Sequence, residues 1–143
     1  MPSLRLISAA AVLLFSAASA FAADTPDKAL AQVVAKGADL YAHATFGGNG
    51  RTCESCHVGG GKVAGQLPNG RAIPSLANAA AIFPRFSRGA GQVVTLEGQI
   101  RQCIKGGLGG TAPQGGSPDL VALSAYLGSI AHGQAVEIGG TPK

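Results

Sequence analysis

The pentad Cys53-Glu54-Ser55-Cys56-His57 constrains this 143-residue chain more than any other stretch. Two thiols three residues apart can add across the two vinyl groups of a porphyrin. The imidazole that follows is then left over the iron. C-x-x-C-H spacing is accordingly the pattern of covalent haem c attachment, here through Cys53 and Cys56 with His57 as axial ligand. Two other chemistries use paired cysteines. A redox C-x-x-C sits near a β-α-β pattern, and the chain has no strand run of that kind. A structural zinc site takes four ligands, usually from two spaced pairs. Beyond the pentad the chain offers only Cys103, His43 and His132.

Residues 1–22 read as a secretory signal. Arg5 supplies the positive end, Leu6 to Phe15 is apolar, and Ala20-Phe21-Ala22 is an A-x-A cleavage site. That run falls short of the roughly 20 residues a bilayer span needs, and no later segment qualifies. The expectation is a periplasmic protein with no stable membrane anchor, an address that suits covalent haem. A single domain over residues 23–135 is expected, followed by a mobile tail, 136–143.

Without Arg5 the chain carries ten Lys and Arg against seven Asp and Glu, a net charge of +3. No basic run is present, which argues against nucleic acid. A weak positive field suits an acidic redox partner protein or a small anion. Five Phe, two Tyr, no Trp and 22 Gly leave little side-chain bulk for a core. A buried porphyrin would supply it.

Along the chain, Thr25-Pro26-Asp27 opens a helix with a cap, a first-turn proline and an acid. Leu30, Val33, Val34, Gly37, Leu40 and Tyr41 form its apolar stripe. Val58 to Ile73 is rich in breakers and reads as a loop around the haem edge. An axial histidine usually donates its second ring N–H to an acceptor, and the Pro74 carbonyl is the candidate. Ser75 to Ile82 is expected to be helical, ending at Phe83-Pro84. Phe83 and Phe86 are expected to pack on the haem. Arg85 and Arg88 are candidates for its propionates, for an anion site, or for plain solvent. Thr95 starts a helix with Leu96, Ile100, Cys103 and Ile104 on one face, stopped by Gly106-Gly107. Ser117-Pro118-Asp119 opens the last, with Leu120, Leu123, Tyr126, Leu127 and Ile130.

The Gly37/Tyr41 helix, the pentad, Pro74-Ser75-Leu76 and the closing Leu123-Ser124-Ala125-Tyr126-Leu127 together resemble class I cytochromes c. The likeness implies an all-α cytochrome c fold, about four to five short helices around one covalent haem. It also implies electron transfer, first and last helices that cross with Gly37 against Tyr126 or its neighbours, and a Pro74 carbonyl bonded to His57. That family usually supplies a methionine as second axial ligand. Here the only methionine is Met1.

Cys103 is the foremost replacement, since an unpaired third cysteine in an exported protein calls for a role and thiolate binds ferric haem well. A helix C-terminus disfavours an anion by under about 1 kcal/mol, less than a metal bond gives. The stretches Leu96 to Cys103, Ser117 to Leu123 and Phe46 to Gly50 are similar to the haem domains of thiosulfate dehydrogenases and Sox cytochromes, which implies cysteine ligation by Cys103. An open or water-bound iron, His43, His132 and an inert Cys103 thiol stay as alternatives. The reading is a monohaem carrier of single electrons, with sulfur-compound oxidation as its setting. A catalytic haem subunit oxidising a sulfur anion such as thiosulfate, and a haem protein binding NO or CO, are the alternatives.

Overall fold

Residues 25–67 and 69–143 are described in a computed structural model; the expected signal segment lies outside them. Helix α1 spans Pro26–His43, with Thr25 Oγ1 accepting from Lys28 N at 3.4 Å and Pro26 in the first turn. A hairpin follows, β1 (Gly65–Gln66) pairing antiparallel with β2 (Ala72–Ile73). After the short α2 (Ala79–Ile82) comes a second hairpin, β3 (Arg85–Ser87) with β4 (Gln92–Val94). Helix α3 (Leu96–Gly106) starts at Thr95, whose Oγ1 accepts from Gly98 N at 3.1 Å. Helix α4 (Pro118–Ile130) closes the order. Ser117 stands at its cap position but makes no capping bond through its side chain, so Pro118 and the acidic Asp119 mark that start alone.

The crossing of α1 and α4 organises the rest. Gly37 is buried against α4, where a β-carbon would lie 2.0 Å from the Ala122 carbonyl oxygen and 2.7 Å from Tyr126 Cβ. Only a residue without a side chain admits that approach. One turn on, Tyr41 meets Tyr126, ring centres 5.2 Å apart and tilted by 54°, in the range favoured by aromatic pairs. Tyr41, Ile100, Ile104, Leu108, Leu120, Leu123 and Leu127 form the core between α1, α3 and α4. The first half of the α1 stripe runs past this crossing, and Leu30 stays 60% exposed.

Three expectations change. The β1–β2 hairpin stands where loop was expected, and the β3–β4 hairpin falls on a stretch where no element was expected; strands of two or three residues are too short to leave a period-2 signal. The helix expected over Ser75 to Ile82 forms only at Ala79–Ile82. Asn78 stands before it at the cap position with non-helical backbone (φ −118°, ψ 10°), its amide held by the closing segment: Nδ2 donates to the Thr141 carbonyl at 3.0 Å, and Oδ1 accepts from Lys143 N at 3.2 Å. The tail expected to be mobile is that segment. Glu137 N donates to Ala81 O, Gly139 N to Ile82 O, and Ser75 N to Lys143 O at 2.7 Å. These bonds lay residues 137–143 along 75–82. Among the described residues no helix is long and apolar enough to cross a membrane.

The backbone contact at Gly37 makes a direct prediction. Alanine gains up to about 1 kcal/mol as a helix former, but its methyl would meet backbone, which cannot rotate aside. Gly37→Ala should therefore lower stability by roughly 1–3 kcal/mol, read as a drop in the guanidinium midpoint of the haem-loaded protein. A midpoint at or above wild type would show that the two helices part freely.

Candidate haem site

The pentad is a tight turn tied to α1 and to the loop that follows it. His57 N donates to Cys53 O at 3.0 Å, and Glu54 N to Tyr41 O at 3.3 Å. The Tyr41 hydroxyl donates to the His57 carbonyl. Both Glu54 carboxylate oxygens accept from Gly60 N, at 3.0 and 3.2 Å, and Tyr126 Oη donates to Gly60 O at 2.9 Å. The two tyrosines of the helix crossing thus grip the turn from its backbone side. Behind Cys56 the chain passes so close that a β-carbon on Gly65 would lie 2.0 Å from the Cys56 carbonyl oxygen.

His57 Nδ1 lies 3.3 Å from the Pro74 carbonyl oxygen. A carbonyl only accepts, so Nδ1 carries the proton and Nε2 keeps its lone pair for a metal. Burial pushes the His57 pKa down, and the Pro74 bond partly opposes that. Burial, the larger effect, favours the neutral, ligating ring, and the Pro74 bond fixes its tautomer.

His57, Cys53 and Cys56 border a cavity of about 680 Å³, whose lining from α3 is Gln99, Gln102, Cys103 and Gly106. An adjoining slot of about 70 Å³ is almost wholly apolar, bordered by Tyr41, Leu76, Phe83, Ile100, Leu123 and Leu127 together with Cys53, His57 and Cys103. Cys53, Cys56 and Cys103 are all free thiols. Burial, then the nearby Cys103 charge, pushes Cys53 up to about 11. Cys103 Sγ opens onto the cavity yet is ringed by protein, and that burial raises its pKa; a hydrogen bond from Gln99 Nε2, 3.4 Å from Sγ, works the other way.

The lining suits a porphyrin. The cavity has the size of a cofactor site, one side is apolar, two unpaired thiols stand beside a histidine with a free Nε2, and Arg51 and Arg71 supply exposed cations at its edge. A bare metal ion is less suited, because among the described residues no three His, Cys, Asp or Glu side chains converge on one point.

Most of the expected residues meet here, but not all. Cys53, Cys56, His57, Pro74 and Cys103 border the large cavity, and Phe83 the slot. Phe86 does not: strand alternation turns it outward beside Val93, 57% exposed, while Arg85 and Ser87 turn inward. Arg85 and Arg88 border neither cavity, and the half-buried Arg85 leaves its Nε without a partner. The cations at the cavity are instead Arg51, two residues before Cys53, and Arg71, three before Pro74. That closeness in sequence to the pentad and to Pro74 was the available signal. His43 and His132 are exposed and border neither cavity, and His43 lies 4.0 Å from Asp39 on its own helix. Gln99 was also missed, for an amide carries no motif of its own.

A mostly helical fold closed by crossing terminal helices, with C-x-x-C-H at a cofactor-sized cavity, defines a c-type cytochrome domain. Residues 36–136 match the model of the SoxA/TsdA cytochrome c domain, and the chain belongs to that family. Its cofactor is haem c. The chain is 31% identical over 120 residues to a thiosulfate dehydrogenase of Allochromatium vinosum, covering 80% of this chain and 43% of that protein. A thiosulfate dehydrogenase of Thiomonas intermedia is 30% identical over 118 residues, 78% of this chain and 35% of that one. Among solved structures, thiosulfate dehydrogenase (TsdBA) from Marichromatium purpuratum, in its "as isolated" form, superposes with a TM-score of 0.61 at 25% identity, over 87% of this chain and 28% of that chain. SoxXA from P. pantotrophus shares the fold, with a TM-score of 0.62 at 23% identity over 78% of this chain and 37% of that one. The chain spans less than half the length of these relatives.

The buried tyrosines give a pH dependence. Burial holds the Tyr41 pKa far above its usual value, and the Glu54 charge adds to that; burial and then Glu54 also raise Tyr126. A tyrosine whose folded pKa exceeds its unfolded value of about 10 adds stability below that pH and loses it as pH rises, because the unfolded state then binds fewer protons. The thermal midpoint of the haem-loaded protein should fall above about pH 10. Tyr41→Phe should flatten that fall and lose about 1 kcal/mol at neutral pH with its hydrogen bond. An equally steep alkaline limb in Tyr41→Phe would exclude Tyr41 as its source.

Proposed function

We propose that this chain is a periplasmic cytochrome that passes single electrons during oxidation of a reduced sulfur anion. In this reading haem c is joined by thioether bonds at Cys53 and Cys56, and the iron is held between His57 and Cys103. One observation carries the ligand assignment: Cys103, on α3, borders the same two cavities as His57. The sulfur setting is supported by the thiosulfate dehydrogenases among the relatives.

Bound haem supplies a one-electron iron couple. The protein's own part is positioning. Pro74 and Tyr41 fix His57 through ring and backbone, so Nε2 has one direction available. The apolar slot keeps water from one side of the site, which strengthens the electrostatic influence of every nearby charge. Arg51 and Arg71 can hold carboxylates or an approaching anion by charge-assisted bonds. A thiolate from Cys103 would favour the ferric charge and lower the reduction potential. Such a site suits an electron carrier working with a second redox protein. Because Arg51 and Arg71 share the Cys103 cavity, a catalytic haem subunit that binds the sulfur anion itself is the second reading.

Two measurements test this on protein exported from a host able to attach haem. In acidified organic solvent the pigment should stay with wild-type protein and leave only the double variant Cys53→Ala/Cys56→Ala, since one remaining thioether would hold it; pigment lost from wild type would end the covalent reading. Cys103→Ala should change the ferric absorption and EPR spectra, and identical spectra would remove Cys103 from the iron. Thiosulfate oxidation by the isolated chain would favour the catalytic reading. Oxidation that needs a second cytochrome would favour the carrier.

A further inference from the structure

Helix α3 carries an amide into apolar surroundings. Gln99 borders both the large cavity and the slot, and in the slot its neighbours include Leu96, Ile100, Leu123 and Leu127. Standing at the edge shared by the two, its amide meets sulfur: Nε2 donates to Cys103 Sγ at 3.4 Å. The two residues stand at i and i+4, so the helix itself puts them on one face. The Thr95 cap, with Oγ1 accepting from Gly98 N, fixes the turn from which Gln99 projects.

We infer that Gln99 is a positioning residue for the distal sulfur: its amide N–H orients Cys103 Sγ and withdraws electron density from it, setting the reduction potential higher than an unassisted thiolate would. The inference rests on Cys103 being the iron's sulfur ligand. Its physical basis is general, since hydrogen bonds to a ligand atom tune both the ligand's donor strength and the metal's potential.

A merely structural Gln99 would behave differently, and the sign separates the two. Replacing the amide by leucine makes the pocket less polar, which disfavours ferric charge and raises the potential. Losing a hydrogen bond to thiolate lets the sulfur donate more strongly, which lowers it. Reduction potential and ferric EPR are to be measured on the haem-loaded full chain for wild type, Gln99→Leu, Cys103→Ala and the double variant. Gln99→Leu should lower the potential and move the sulfur-dependent spectral features, and neither change should remain on the Cys103→Ala background. Gln99→Glu, close in size, replaces a donor by an acceptor and should lower the potential as pH rises through the carboxyl's titration; it serves also if the leucine variant does not load haem. An unchanged or raised potential in both variants, or the same drop without Cys103, overturns the role of Gln99. Cys103→Ala spectra identical to wild type overturn the sulfur-ligand reading instead, and the inference with it.

Discussion

Two helices can come within backbone contact only where one of them has no side chain, and Gly37 against the Ala122 carbonyl is that place. Everything near the cofactor cavity hangs from this approach. It sets Tyr41 and Tyr126 ring to ring, and their hydroxyls reach the His57 and Gly60 carbonyls. The pentad is therefore not a free loop that happens to carry two thiols. It is fastened to the helix crossing by groups whose hydrogen bonds are sheltered from water, where they are stronger. A chain so poor in large aromatics cannot rely on bulk for rigidity, so it concentrates its two tyrosines where they tie core to site.

The two proposed axial residues are held unequally. His57 is held by its ring, through Pro74, and by its backbone, through Tyr41 and Cys53. Behind Pro74, Ser75 donates to the Lys143 carbonyl, so the closing segment also backs the proximal side. Cys103 has less: a place on α3 and one amide donor. It lies near the helix C-terminus, where the dipole opposes a thiolate. Of the two, Cys103 is thus the less firmly fixed.

What was legible in advance follows from how local each signal is. The pentad, the Thr25 and Thr95 starts, and the Gly37–Tyr126 meeting rest on residue types at fixed short spacings or on a family resemblance that spans the chain. Pro74 was legible because an axial histidine must find an acceptor and a nearby Pro-x-Leu offered one. Phe86 was expected at the haem, and Arg85 and Arg88 were offered to its propionates beside an anion site or plain solvent, from residue type alone. That fails in a hairpin, where a shift of one residue reverses which side faces inward.

The sequence by itself determined the chemistry: two thiols and an imidazole in one turn, a third thiol, no methionine beyond Met1, and hence a haem c site without the usual methionine. Covalent chemistry and helix caps act over a few residues, so they can be read in one dimension. Only the tertiary structure decided which cations reach the cavity, that the closing segment braces residues 75–82, and that the face shared by Gln99 and Cys103 borders the cofactor cavity. Those outcomes depend on which faces remain once α1, α3 and α4 have packed, and packing joins residues far apart in the chain through contacts that leave no pattern in it.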